Sequence, residues 1–235
     1  MIWGLVRVAA LSAAVPLAIA LGLIGSQRPG DLSGPEGLDF SRQIGRQTTP
    51  LPIEKVRMRD GVALSVRSVS GPEKSPLLVL IHGSGWHGGQ FDGVARQLAG
   101  KADVLVPDLR GHGANPGRRG DLDYIGQFED DLADLIHARV KPGQKVILAG
   151  HSSGGGLVVR FAGGAQGDLI DAAILLAPFL KYNAPTTRPN SGGWAHVLTR
   201  RVIGLSLLNA VGIKALNALT VSQFDSPKSV LNGPV

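Results

Sequence analysis

A chain of 235 residues with 43% hydrophobic and 18% charged side chains has the balance of a globular domain, which excludes disorder as its default state. The formal charge of +6 is scattered, with Arg118-Arg119 and Arg200-Arg201 as short pairs. No nucleic-acid partner is therefore expected, and a solvated surface able to face anionic lipid is preferred. The absence of cysteine excludes disulfides, Cys-ligated metals and a thiol nucleophile.

Residues 8–27 carry no charge and are rich in Ala, Leu, Val and Ile, with Arg7 before them and Arg28 after. About 20 such residues suffice to cross a bilayer as a helix, and Pro16 would kink it. A cleaved signal peptide is the rival reading, with Ala18-Ile19-Ala20 as the cleavage site. That site lies inside the apolar run, which favours an uncleaved membrane anchor; a buried helix is the third reading. The flanking arginines leave the side of the membrane undecided, and cleavage would make the domain secreted or periplasmic. Residues 1–28 are thus read as anchor or signal segment and 29–52, rich in Gly, Pro, Ser and Thr, as a linker.

From Ile53 the pattern turns strand-like. Lys55–Arg59, Asp60-Gly61 and Ala63–Val69 read as a hairpin with a two-residue turn. The run Leu77-Leu78-Val79-Leu80-Ile81 after Pro76 predicts a strand buried on both faces. Phe91, Val94, Ala95 and Leu98 recur at helical spacing, and Val104–Val106 is a further buried strand ending at Pro107-Asp108. Tyr124, Phe128, Leu132, Leu135 and Ile136 share one helical face within 124–140, and Pro142-Gly143 stops that helix. A strand over Val146–Ala149 and another over Ala172–Ala177 complete an alternation of strands and helices. That alternation predicts an α/β protein with a mostly parallel sheet and helices on both faces. Beyond it, Val197, Val202, Ile203, Leu207, Leu208, Val211, Leu216 and Leu219 read as helices.

The chemistry concentrates at Gly150-His151-Ser152-Ser153-Gly154. An apolar strand running into Gly-x-Ser-x-Gly and then into a small-residue helix is the pattern of a nucleophile elbow, whose tight turn exposes one serine. The helix behind Ser152 offers free N–H groups and a positive dipole end to a developing oxyanion. No spacing of histidines and carboxylates suggests a metal site, and no cofactor is implied.

Three segments together carry a family resemblance: His82-Gly83-Ser84-Gly85, Asp108-Leu109-Arg110-Gly111-His112-Gly113 and the elbow, each after a successive predicted strand. Over residues 53–178 the chain resembles the α/β-hydrolase superfamily, in particular its lysophospholipase and monoacylglycerol-lipase-like members. The resemblance implies that Ser152 is the acyl-accepting nucleophile and that the backbone N–H groups of Ser84 and Ser153 form the oxyanion hole. It implies a loop-shaping His82, with His82, Trp86 and His87 as candidate pocket lining, and a structural ion pair for Asp108 or Arg110. Residues 53–180 would form the hydrolase core and 181–235 a helical cap. A serine hydrolase of carboxylic esters, of the acyl-glycerol or lysophospholipid kind, follows as the implied function. Peptidase or acyltransferase chemistry on the same scaffold, or a non-catalytic lipid- or partner-binding module, are the alternatives.

The family's base and acid do not follow in the expected places. After Ser152 the only histidine is His196, and the later carboxylates beyond Asp168 are Asp171 and Asp225. The fold is accordingly expected to be incomplete at the C-terminus, a fragment or shortened frame of a longer hydrolase. As written, the chain is expected to turn over little substrate.

Overall fold

Alternation inside the apolar run 77–81 decides where the core lies. Successive side chains of a strand point to opposite faces, and here Leu77, Val79 and Ile81 join one hydrophobic cluster while Leu78 and Leu80 join another. All five are buried, so this strand lies between two layers of cover. The computed structural model describes residues 2–30, 49–181, 184–185 and 195–224. They divide into two units, the sheet-bearing residues 49–185 and a second unit holding the N-terminal helix and residues 195–224.

The first unit contains β1 (Ile53–Arg57), β2 (Ala63–Val69), β3 (Leu77–Ile81), α2 (Asp92–Leu98), β4 (Asp103–Pro107), α3 (Gln127–Arg139), β5 (Val146–His151), α4 (Ser153–Ala162) and β6 (Ala172–Leu176). Helix α1, taken up below, precedes them. The strands form one sheet in the order β1-β2-β4-β3-β5-β6. β1, β2 and β4 pair antiparallel, whereas β4, β3, β5 and β6 run parallel. One cluster packs Leu132, Leu135 and Ile136 of α3 and Leu157, Val158 and Phe161 of α4 onto the sheet. The other packs Phe91 and Ala95 of the α2 region onto the opposite face. Helices therefore cover both faces, as the alternation predicted.

Two local expectations need correction. The β1–β2 turn spans more than Asp60-Gly61: Met58 N–H donates to Val62 O at 2.8 Å and Gly61 N–H to Met58 O at 2.9 Å. A tight turn followed by a left-handed residue needs the positive φ of Gly61, 86°, which a side chain would disfavour. Helix α3 begins at Gln127, after the left-handed Gly126, so Tyr124 stays outside it and is about half exposed. Its hydroxyl donates to Asp130 at 2.7 Å instead of packing on the helical face. Strand β6 is exposed along its whole length and has β5 as its one partner among the described strands.

The second unit contains α1 (Ile2–Gly25), β7 (Ala195–Val197), α5 (Thr199–Ala210) and β8 (Ser222–Phe224), with β7 and β8 paired antiparallel. The sequence pattern had shown only helices here, because strands of three residues leave no period to detect. Ala20 and Ile24 of α1 bury against Leu205 and Leu208 of α5. The two helices approach so closely at Gly204 that an added Cβ would lie 2.5 Å from the Ala20 carbonyl oxygen. The Gln27 side chain accepts from the Arg200 N–H at 2.8 Å, satisfying a donor in the first turn of α5. The membrane-crossing helix expected over 8–27 finds no support: among the described residues no helix is long and apolar enough to cross a membrane.

Candidate active site

The turn after β5 is held in a conformation that most residues avoid. Ser152 has φ 54° and ψ −121°, between the last residue of β5 and the first of α4. Such backbone states cost about 1–3 kcal/mol and persist only where the surroundings over-determine them. Here they do. The Ser152 N–H donates to Leu176 O at 3.0 Å, and its carbonyl accepts from Gly155, Gly156 and Phe179 N–H at 3.0, 3.2 and 2.8 Å.

The glycines around it are demanded by space. A Cβ on Gly150 would stand 2.3 Å from Gly154 O, and one on Gly154 would stand 2.5 Å from His82 O. Strand, helix and the loop after β3 thus meet at van der Waals limits. The result is a half-buried serine raised at the C-terminal edge of the parallel strands.

The loop after β3 comes to the same place. Gly83 is buried against Ser152, a Cβ there being 3.2 Å from the Ser152 Cβ. The Ser84 N–H donates to Ser153 Oγ at 2.7 Å, and the Ser84 hydroxyl donates to the same oxygen at 2.8 Å. Ser84, Ser152 and Ser153 are therefore brought together. Their hydroxyl contacts, made across 69 residues of chain, could not have been read from the sequence.

His82 is fully buried, so it lies beneath this loop and does not line an open pocket. Its Nε2 accepts from the Leu109 N–H at 2.9 Å, which leaves Nδ1 as the protonated nitrogen, 2.9 Å from Gly83 O. Burial pushes the ring down to about pKa 3, against the Gly83 hydrogen bond, so the ring is neutral. Because the C=O and N–H of a trans peptide point oppositely, holding Gly83 O toward His82 turns the Ser84 N–H away from it. His87 and Trp86 are half-buried in the same loop, and His87 Nδ1 accepts from the Gly89 N–H at 3.2 Å. His151 faces Gln90, whose Nε2 lies 3.0 Å from its Nδ1.

A buried charge cluster braces the loop from below. Asp108 accepts from Arg67 Nη1 at 2.6 Å and from the Gly88 and Ala114 N–H groups at 2.8 and 2.9 Å. Burial alone would raise the Asp108 carboxyl, but the hydrogen bonds from Ala114 and Gly88 and the Arg67 charge together hold it below the usual carboxylate range. Asp92 lies 3.4 Å from Arg67 Nε. Arg110 makes a two-pronged bond to Asp131, at 2.9 and 2.6 Å, and reaches Asp60 at 2.9 Å. A structural ion pair was anticipated for Asp108 or Arg110, and each of the two makes one. The partners Arg67 and Asp92 were missed, since Arg67 sits in a strand with no motif to mark it.

The later acidic and basic candidates lie elsewhere. Asp171 precedes β6, accepting from Lys145 Nζ at 2.6 Å and Val146 N–H at 2.8 Å. It is thus at the start of the strands, whereas Ser152 is at their end. His137 is exposed on α3, His196 is exposed on β7 in the second unit, and Asp225 lies outside the described residues. Among the described residues no histidine or carboxylate hydrogen-bonds the Ser152 hydroxyl.

A mostly parallel sheet with helices on both faces and a strained serine at the β5–α4 turn defines the α/β-hydrolase class. Residues 72–229 match the family model described as serine aminopeptidase, S33, and the chain belongs to that family. It is similar to the monoglyceride lipase of Homo sapiens, 32% identical over 137 residues that make up 57% of this chain and 43% of that protein. The monoacylglycerol lipase of Mycolicibacterium smegmatis is 35% identical over 119 residues, 48% of this chain and 42% of the relative. The crystal structure of a monoacylglycerol lipase from Paleococcus ferrophilus aligns with 31% identity and a TM-score of 0.45, covering 54% of this chain and 47% of that one. The chain spans less than half the length of each of these three proteins.

Proposed function

We propose that this chain carries the nucleophile and the oxyanion donors of a serine hydrolase acting on carboxylic esters of the acyl-glycerol or lysophospholipid kind. The observation that carries the reading is the strained turn, held by four backbone hydrogen bonds, that raises Ser152 beside the Ser84 and Ser153 backbone. In the proposed step Ser152 Oγ bonds to the acyl carbon, its proton passes to a base, and the carbonyl oxygen takes the negative charge. The Ser84 and Ser153 N–H groups hold that oxygen, the alcohol leaves with a proton, and water releases the acid. The base is a histidine oriented by an acid, neither of which stands at Ser152 among the described residues. Oxyanion donors and binding alone still sustain roughly 10³–10⁴-fold catalysis over water when triad members are missing.

The name of the matched family, serine aminopeptidase, favours one rival: amide instead of ester cleavage. Incubation with a monoacylglycerol or with an aminoacyl amide, in imidazole to supply a base, separates the two. Ser152-dependent fatty acid release with the amide intact is expected. Faster amide cleavage would mean a peptidase. No Ser152-dependent product from either would mean a binding module.

A further inference from the structure

The Ser84 N–H already has a partner. Ser153 Oγ accepts from it at 2.7 Å and is steadied by the Ser84 hydroxyl at 2.8 Å. Ser153 is also the first residue of α4, where a backbone N–H has no partner within its helix. Its side-chain oxygen therefore bonds one proposed oxyanion donor while tied by two bonds to the Cα that bears the other. That is where a substrate's carbonyl oxygen would have to sit.

We propose that the Ser153 hydroxyl is a built-in occupant of the oxyanion site, seated on the Ser84 N–H at rest and displaced by an incoming acyl oxygen. This rests on the assignment of the Ser84 and Ser153 N–H groups as the oxyanion donors. The displacement needs no backbone movement, because a step between staggered χ1 rotamers lifts Oγ off the donor. Ser84 is exposed, and no atom lies within 4 Å of a Cβ placed on the adjacent Gly85, so the loop is open to the incoming group. An anionic oxygen makes a stronger bond to the N–H than a neutral hydroxyl does, so the oxyanion displaces Ser153 Oγ as it forms. The cost of displacement is the same whichever oxygen takes the donor, so Ser153 weakens initial binding and the tetrahedral state by up to the same factor, and removing its hydroxyl speeds reaction at low ligand concentration.

Two readouts on the full chain test this. In the first, amide hydrogen exchange by NMR, Ser84 is expected to be protected in the wild type. Its exchange should run about ten-fold faster in Ser153→Ala, remain protected in Ser153→Thr, which keeps the hydroxyl, and be unaltered in Ser152→Ala. A Ser84 amide that exchanges as an open one in the wild type, or equally in Ser153→Ala, overturns the proposal whether or not any ester is cleaved. In the second, a neutral fluorophosphonate in imidazole should modify Ser153→Ala about five-fold faster than the wild type, through tighter initial binding, while Ser153→Thr stays near wild type. Slower modification of Ser153→Ala would make the hydroxyl a third donor and overturn the proposal. If none of the proteins is modified, the nucleophile assignment of Ser152 fails and the exchange rates alone decide the occupant.

Discussion

β5 and β6 are neighbours in the sheet, in register from Ile147–Ala172 to His151–Leu176, and both are apolar in sequence. Their surroundings differ completely. β5 is flanked by β3 and β6, with Leu148 inaccessible and Ala149 nearly so. β6 has a single partner among the described strands, and Ile174, Leu175 and Leu176 are each more than 40% exposed. Apolarity states what a strand can bury, and its place in the sheet decides what it does bury. The exposed strand still has a task at the site. Leu176 O takes the Ser152 N–H, and Phe179 N–H just beyond takes the Ser152 carbonyl. The candidate nucleophile thus hangs on a buried strand and is pinned from an exposed one. Ala177, at the end of β6, shares the positive φ of Ser152, at 46°.

This contrast of centre and edge can be broken by substitution. The largest loss is expected at the centre from Asp108→Ala, which strips the buried Arg67 of its shortest partner and the Gly88 loop of its acceptor. Removing one member of a buried pair costs about 3–5 kcal/mol, readable by urea unfolding. Leu148→Ala should follow at about 2–5 kcal/mol. Gly154→Ala forces a Cβ against the His82 and Ile81 carbonyls, and overpacking of this kind costs about 1–3 kcal/mol. It should also slow any chemistry at Ser152, since the loop after β3 must move. At the edge, Ile174→Ala should change stability by less than about 1 kcal/mol and reduce self-association through the outer edge of β6. Equal losses at Leu148 and Ile174 would mean that β6 is covered in solution and that the contrast is false.

A pH series sharpens the same contrast. His82 binds a proton near pH 6.5 when unfolded but only near pH 3 when folded, because burial opposes the charge. The unfolded state therefore takes up protons first, and stability should fall as pH drops from about 6.5 toward 3, by at most about 1.4 kcal/mol per unit. His82→Asn should flatten the urea-unfolding profile across that window. A profile unchanged by the substitution would show that the ring is not held neutral.

What the sequence revealed was local. The run 77–81 announces a strand covered on both faces because its burial is set by its own five side chains. Gly150 announces a close approach because strand and helix meet within four residues, at Gly154. The missed features are long-range or short-strand. Arg67 meets Asp108 across 41 residues, and Ser84 meets Ser153 across 69. No period or motif encodes such meetings; they arise when the sheet order brings the ends of β3, β4 and β5 to one edge. The β7–β8 pair escaped because three-residue strands fall below any detectable alternation. The packing of Ala20 and Ile24 on α5 escaped because an apolar helix reads alike whether protein or lipid covers it.

The most direct test of the central claim, that Ser152 is a poised nucleophile, is mass-spectrometric mapping of a fluorophosphonate adduct with and without added imidazole. Slow modification confined to Ser152 is expected, accelerated by imidazole acting as the external base and abolished in Ser152→Ala. An adduct on another serine, or a Ser152 indifferent to imidazole and unmodified throughout, would contradict it.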